Sequence, residues 1–145
     1  MTGKRRRRCK YYVNTNFIVD LMRSNAAAVG FAKRRRGVMC SSSLVVAEFR
    51  EIGRSSAARR AMAEHGVRLV KLRRPTLRRL AKRVILEHPG LSVNSFLDYL
   101  HVYAARLMGV EYFVTSDRAA CNRAIRAGLC CINYRSGEER CPSSR

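Results

Sequence analysis

The apolar and polar positions of this chain fall into two alternating rhythms. Residues 10–14 contain Tyr11, Tyr12 and Val13 and predict a short strand. At Thr15 the spacing changes. Phe17, Ile18, Leu21 and Met22 follow i, i+1, i+4, i+5, which is one face of a helix. A second helix is predicted over 26–36, apolar first and basic at its end as the helix dipole favours, and Gly37 stops it. Residues 38–40 predict another strand. The serines at 41–43 supply an N-cap for a helix over 44–52 closed by Gly53. A further helix over 55–65 ends at Gly66, and 67–72 alternate as a strand does. Pro75 suits the first turn of a helix reaching Glu87, which Pro89 and Gly90 break. The strongest helical pattern is 94–108, stopped by Gly109. Residues 111–115, 117–127 and 129–133 complete the series as strand, helix and strand.

Strands alternating with helices in this order predict an α/β fold on an open, mostly parallel sheet of about five strands. No repeat or linker interrupts the series, so one domain is expected over 10–134. Residues 1–9 carry Lys4, Arg5, Arg6, Arg7 and Arg8 in one block, which reads as a flexible basic tail adding affinity without specificity. Residues 135–145 are polar and are expected to be loose.

Composition narrows the setting. Thirty Lys and Arg against ten Asp and Glu give a formal charge of +20, which points to an acidic partner. Nucleic acid comes first and an anionic membrane surface second. A hydrophobic content of 47% excludes a fully disordered chain. No uncharged apolar run approaches the roughly 18 residues of a membrane-spanning helix. No apolar stretch of signal-peptide length follows the basic start, so a soluble cytoplasmic domain is expected. Only five of the basic residues are Lys, as a GC-rich genome would favour, and Gln is absent. The lack of this thermolabile residue points towards a thermophile. Six cysteines would be reduced thiols in most cytosols, with hyperthermophiles the exception. They allow about 15 pairings, and the pattern does not choose among them. Cys121, Cys130, Cys131 and Cys141 contain no C-x-x-C, which favours packing or disulfides over zinc or redox catalysis.

In an open parallel sheet, sites form beyond the carboxyl ends of strands, where strand order reverses. The fingerprints of dinucleotide sites, phosphate-loop NTPases, α/β-hydrolases and zinc proteases are all missing. What stands out is a set of acids in an acid-poor chain. Glu48 lies in the apolar helix run Leu44-Val45-Val46-Ala47-Glu48-Phe49, Asp98 in Phe96-Leu97-Asp98-Tyr99-Leu100, and Asp117 just after Tyr112-Phe113-Val114-Thr115. Each has a structural explanation. Ser95-x-x-Asp98 matches a capping box, Asp117 suits an N-cap, and Glu48 could reach solvent from its helix edge. Together they fall at strand ends or early helical turns and can converge on one crevice. Carboxylates buried together resist ionisation unless a cation neutralises them. Mg²⁺ or Mn²⁺ suits an all-oxygen site and can activate water for attack at phosphorus.

Four stretches in this order resemble the PIN domain, a metal-dependent nuclease family. They are Tyr12-Val13-Asn14-Thr15-Asn16, Ser43-Leu44-Val45-Val46-Ala47-Glu48-Phe49, Asn94-Ser95-Phe96-Leu97-Asp98-Tyr99 and Phe113-Val114-Thr115-Ser116-Asp117. The resemblance spans residues 11 to 134 and implies a Rossmann-like three-layer α/β/α sandwich. It implies that Glu48, Asp98 and Asp117 are catalytic and hold the metal, with Asn16, Thr115 and Ser116 supporting them. The family's first acid, in Asp-Thr-Asn, aligns with Asn14, which keeps a carbonyl oxygen but loses the charge. Asn14 is either an engineered silencing change or the mark of a naturally weakened or non-catalytic member. In size the chain is similar to toxins of the VapBC type. That implies an endoribonuclease, a homodimer, and an antitoxin partner offering an acidic or Arg-bearing tail. The rival reading is a non-catalytic RNA-binding or ribosome-associated module on the same fold.

The remaining features have plainer expectations. His101, one turn beyond Asp98, reads as a core or supporting residue, and His65 and His88 as exposed helix-end residues. Tyr99 and Tyr103 share a helix face and read as core. Arg73, Arg74, Arg78, Arg79, Lys82 and Arg83 cluster on one helix. A charge run is usually a solvated face, yet at +20 some of these arginines are expected to touch RNA phosphates.

Overall fold

Successive residues of a strand point to opposite faces of its sheet, and here that alternation divides the apolar side chains between two cores. A computed structural model of the chain describes residues 8–143. The chain runs β1 (Tyr11–Val13), α1 (Thr15–Met22), α2 (Ala26–Arg34), β2 (Met39–Ser42), α3 (Ser43–Glu51), α4 (Ser55–Glu64) and β3 (Val67–Val70). It continues through α5 (Arg74–Glu87), α6 (Val93–Leu107), β4 (Tyr112–Thr115), α7 (Arg118–Arg126), β5 (Cys130–Asn133) and β6 (Glu139–Arg140). Tyr12 and Phe113 face a core shared with α5, α6 and α7, their rings stacked with centroids 5.6 Å apart. Val13 and Val114, one residue on, face the core formed with α1, α2, α3 and α4. Helices thus cover both faces, giving a three-layer α/β/α sandwich.

The strands lie in the order β3-β2-β1-β4-β5-β6. The first five are parallel, and the order reverses between β1 and β4, where Tyr12 pairs with Phe113 and Val13 with Val114. The carboxyl ends of these two strands therefore open onto the crevice expected of such a sheet.

The helix starts follow local chemistry. The Ser42 hydroxyl caps α3 by accepting from Leu44 N–H, and Pro75 occupies the first turn of α5. Gly109 and Gly128 end α6 and α7 with φ of 73° and 96°, where a side chain would be strained.

The mostly parallel sheet of about five strands is present, and among the described residues a short sixth strand, β6, pairs antiparallel with β5. Two boundary expectations need correction. Most of the segment beyond 134, expected to be loose, is docked instead. Arg135 makes a two-pronged ion pair with buried Asp20, which also accepts from the Tyr134 hydroxyl. The disulfide Cys130–Cys141 ties β5 to the residue after β6. Burial and the Asp20 contact push the Tyr134 hydroxyl up to about 12. At the other end, Cys9 bonds to Cys40 of β2, so residue 9 belongs to the domain, while 1–7 of the basic tail lie outside the described residues. Cys121–Cys131 joins α7 to β5, and no cysteine is free. No helix among the described residues is long and apolar enough to cross a membrane.

Removing the guanidinium leaves the Asp20 carboxylate buried with only its hydroxyl partner. Because Arg135 is itself half exposed, Arg135→Ala is expected to cost about 2 kcal/mol, below the roughly 3–5 kcal/mol of a fully buried pair. Urea unfolding checks this, and a loss under about 0.5 kcal/mol would count against it.

Candidate functional site

Thr115, the last residue of β4, is fully buried, and its side chain gathers the crevice. Its Oγ1 accepts from Asn14 Nδ2 at 3.0 Å, Asn16 Nδ2 at 3.1 Å and the Asp117 backbone N–H at 3.1 Å. Asn14 is the N-cap residue of α1 and Asp117 that of α7, whose carboxylate accepts from Ala119 N–H as expected. Asn16 Oδ1 in turn takes the Ser116 N–H at 3.5 Å. The four polar residues that follow β1 and β4 are therefore one connected unit. Asn14 Oδ1 is its loose end: the residue is 7% exposed, yet this oxygen meets no hydrogen-bond donor. A buried carbonyl without a donor is costly, and a cation is one group that could satisfy it.

Glu48, in the second turn of α3, does not reach freely into solvent. Its Oε1 accepts from His101 Nε2 at 2.7 Å and from the Thr15 hydroxyl. Burial pushes the Glu48 carboxyl up, but the His101 hydrogen bond, the charge His101 carries when protonated and the Thr15 hydroxyl outweigh it. The net shift is downward. Behind His101 the relay continues into the core: Nδ1 lies 2.7 Å from the Tyr12 hydroxyl, which lies 2.8 Å from Ser42 Oγ. With the imidazole neutral and its proton on Nε2, every donor in this row finds an acceptor. His101 is thus the buried supporting residue that the sequence suggested, and burial raises the Tyr12 hydroxyl far above its ordinary value.

Asp98 departs from the expected capping box. The hydroxyl that caps α6 belongs to Ser92, which accepts from Ser95 N–H at 3.2 Å, so the helix starts one turn earlier relative to Asp98 than the motif requires. The carboxylate instead accepts from Arg123 of α7 at 3.0 Å, and the second Arg123 nitrogen reaches Ser95 Oγ at 3.0 Å. Burial raises the Asp98 carboxyl, repulsion from Asp117 and Glu48 adds to it, and Arg123 and His101 only partly offset the rise. Asp117 and Glu48 are thus close enough to Asp98 for their charge to raise its carboxyl. Among the described residues, however, no three His, Cys, Asp or Glu side chains form a group that could hold a metal ion. The donor chemistry is right for a hard divalent cation, being carboxylate and amide oxygen only, with one buried oxygen unmet. Asp98 and Glu48 already have partners within the chain.

The basic residues sit elsewhere. Arg73, the N-cap residue of α5, and Arg74, Arg78 and Arg79 on its first turns are exposed, beyond the carboxyl end of edge strand β3. At 4.7–4.9 Å per strand, β3 is about 10 Å from β1 across the sheet. The four arginines make no ion pair with the acids. His65 and His88 are half-buried rather than exposed. His88 stacks on Tyr99 at 4.0 Å and lies 3.0 Å from the Tyr103 hydroxyl, and both tyrosines are core. Sequence reasoning missed Thr15, Tyr12, Ser42 and Arg123. Only Arg123 had no local signal, because its contact depends on how α7 packs on α6.

No family model matches the chain, and no curated protein sequence matches it. Solved structures do. PAE2754 from Pyrobaculum aerophilum superposes with a TM-score of 0.54 at 19% identity, covering 88% of this chain and 92% of that one. A chain of VapBC2 from Rickettsia felis, solved bound to a DNA fragment from their promoter, gives 0.51 at 18% identity, covering 74% and 87%. The fold is shared. At such low identity these likenesses show the shared fold and carry nothing about family or activity.

The two shifted carboxyls predict opposite acid dependences. Asp98 holds its proton more tightly when folded, so its contribution to stability falls as pH rises from about 4 to its higher native value. Asp98→Asn should therefore melt at or above the parent temperature at pH 7. Glu48 is lowered, so it stabilises above about pH 4 and that contribution is lost on acidification through its native value. Glu48→Gln should cost about 1–2 kcal/mol at pH 7, a gap that closes in acid. Thermal melts between about pH 3 and 8 check both signs, and a lower melting temperature for Asp98→Asn at pH 7 would refute the first.

Proposed function

We propose that this protein is a divalent-metal-dependent endoribonuclease of the VapC toxin type whose metal centre is weakened by Asn14. The observation that carries this reading is the buried, donorless Asn14 Oδ1 at the carboxyl end of β1, joined through Thr115 to the Asp117 backbone, with Asp98 raised by the nearby charges of Asp117 and Glu48. The family's first Asp would stand at that position by resemblance. Glu48, Asp98 and Asp117 would hold Mg²⁺ or Mn²⁺, with the Asn14 carbonyl as a neutral donor. The bound ion would supply water activation and charge stabilisation at phosphorus.

The chain's own residues do the rest. His101 and Thr15 keep Glu48 ionised and oriented, and Thr115 fixes Asn14, Asn16 and the start of α7. Exposed Arg118 beside Asp117, with Arg73, Arg74, Arg78 and Arg79 on α5, would bind the phosphodiester backbone on either side of the acids. A homodimer and an antitoxin partner belong to the same reading, and the VapBC2 likeness bears on the antitoxin alone. A cytoplasmic setting in a thermophile would reconcile three disulfides with an intracellular nuclease. The second reading is a non-catalytic RNA-binding or ribosome-associated module. It is favoured by the neutral Asn14 and by Glu48 and Asp98 already being paired inside the chain.

The deciding experiment compares the parent with Asn14→Asp on labelled single-stranded RNA, with Mn²⁺ and with EDTA. Asn14→Asp is expected to cleave at least roughly tenfold faster than the parent, with EDTA abolishing it. Glu48→Gln or Asp98→Asn in that background should remove the cleavage. If neither protein cleaves while both bind RNA with a steep salt dependence, the enzyme reading falls and the binding module replaces it.

A further inference from the structure

The Arg123 guanidinium is held at three points on one face of α6. One nitrogen donates to Asp98 Oδ2 at 3.0 Å and the other to Ser95 Oγ at 3.0 Å, while the cation lies 5.4 Å from the centre of the Tyr99 ring. Ser95 and Asp98 are three residues apart and so face the same way, one turn above the other. The side chains of Arg123 and Asp98 are only 20% and 26% exposed. A planar fork fastened in this manner is an ordered component of the site rather than a solvent-screened surface pair.

Its position has a consequence for charge. A divalent ion bound among these acids would draw on the carboxylate whose Oδ2 the guanidinium already holds, and two cations on that one carboxylate repel each other strongly. With Asn at position 14, three carboxylates rather than four would draw a divalent ion into competition with Arg123. The balance therefore favours the resident cation more than it would with a full acid set. The +20 charge of the whole chain works in the same direction.

We propose that Arg123 is the resident counter-ion of Asp98, seated where a divalent cation would draw on that carboxylate, so that metal loading of this centre is a displacement of Arg123. The inference rests on the metal-binding reading above and adds a built-in regulator to it. Displaced, Arg123 keeps its charge and its stem on α7 and becomes available to a substrate phosphate at the edge of the crevice.

Mn²⁺ binding tests this without any reaction, read from the loss of the free-ion EPR signal and accompanied by melting curves. Arg123→Met keeps much of the stem and removes the charge, and it is expected to bind Mn²⁺ about tenfold more tightly than the parent. Ser95→Ala removes the second anchor without touching an acid and should tighten binding about threefold. Arg126→Met removes an equal charge from an exposed position of the same helix and should leave affinity unchanged. Unchanged or weaker binding by both Arg123→Met and Ser95→Ala, or equal tightening by Arg126→Met, overturns the displacement. If the parent or Asn14→Asp binds Mn²⁺ in that case, the metal-binding reading survives alone. If no variant binds, including Asn14→Asp combined with Arg123→Met, both fall together.

Discussion

The parallel pairing of β1 with β4 is the constraint on which the site depends. At that pair the strand order reverses, and the segments leaving the two strands diverge to opposite sides of the sheet. Divergence leaves backbone and side-chain polar groups without regular partners, and the Thr115 hydroxyl is the group that takes them up. It binds the side chains of Asn14 and Asn16 on one segment and the backbone of Asp117 on the other. Without it, the first turns of α1 and α7 would have no common reference point. The stacked Tyr12 and Phe113 rings beneath fix the same two strands from within the core. The position of every polar group at the crevice is thus a consequence of apolar packing one residue away.

A chain with ten acids among 145 residues has placed them unevenly. Its three aspartates are Asp98 and Asp117 at the crevice and Asp20 behind it, where Asp20 anchors the Tyr134 and Arg135 clamp. The Tyr134 hydroxyl also lies within 3.2 Å of the Asn16 carbonyl and 3.4 Å of Ser116 Oγ, so the clamp braces the site from the rear. Negative charge is concentrated where positive charge within the chain can meet it: Arg135 for Asp20, Arg123 for Asp98, and His101, when protonated, for Glu48. These internal partners let carboxylates be partly buried without an external ion. On the proposed reading, they would also set the resistance that a metal ion must overcome.

Most of the architecture was legible because it is written in local spacing. The strand-to-helix alternation, the Ser42 and Asp117 caps and the glycine stops each depend on a few neighbouring residues, and each appears within a residue or two of its expected place. What was illegible depends on elements meeting across the fold. Residues 139–140 form a strand only because β5 offers a free edge and Cys130 a covalent tether, and nothing in their composition signals a strand. The cysteine pairing had the same character. Asp98 shows the limit most clearly. Ser95 and Asp98 do act together, as their spacing suggested, but they do so by holding Arg123 from another helix rather than by capping their own. The same i, i+3 geometry that makes a capping box also makes a two-point receptor for a guanidinium, and only the tertiary contact distinguishes them.

Asn14 joins these threads. As an N-cap residue its side chain could accept from the first turn of α1, yet it makes no such bond and gives its N–H to Thr115 instead. The geometry that a carboxylate would need at this position is retained, including a buried oxygen facing no donor, while the charge is gone. An aspartate here would lose the Thr115 bond as drawn, since a carboxylate cannot donate, and the Thr115 hydroxyl would have to turn and donate in its place. It would also add a fourth negative charge to carboxylates that already repel one another. The neutral amide therefore relieves electrostatic strain in the absence of a cation, and a metal-loaded site would gain most from the charge it lacks. On the proposed metal-binding reading, position 14 would weigh the stability of the crevice without an ion against its affinity for one, and asparagine favours stability.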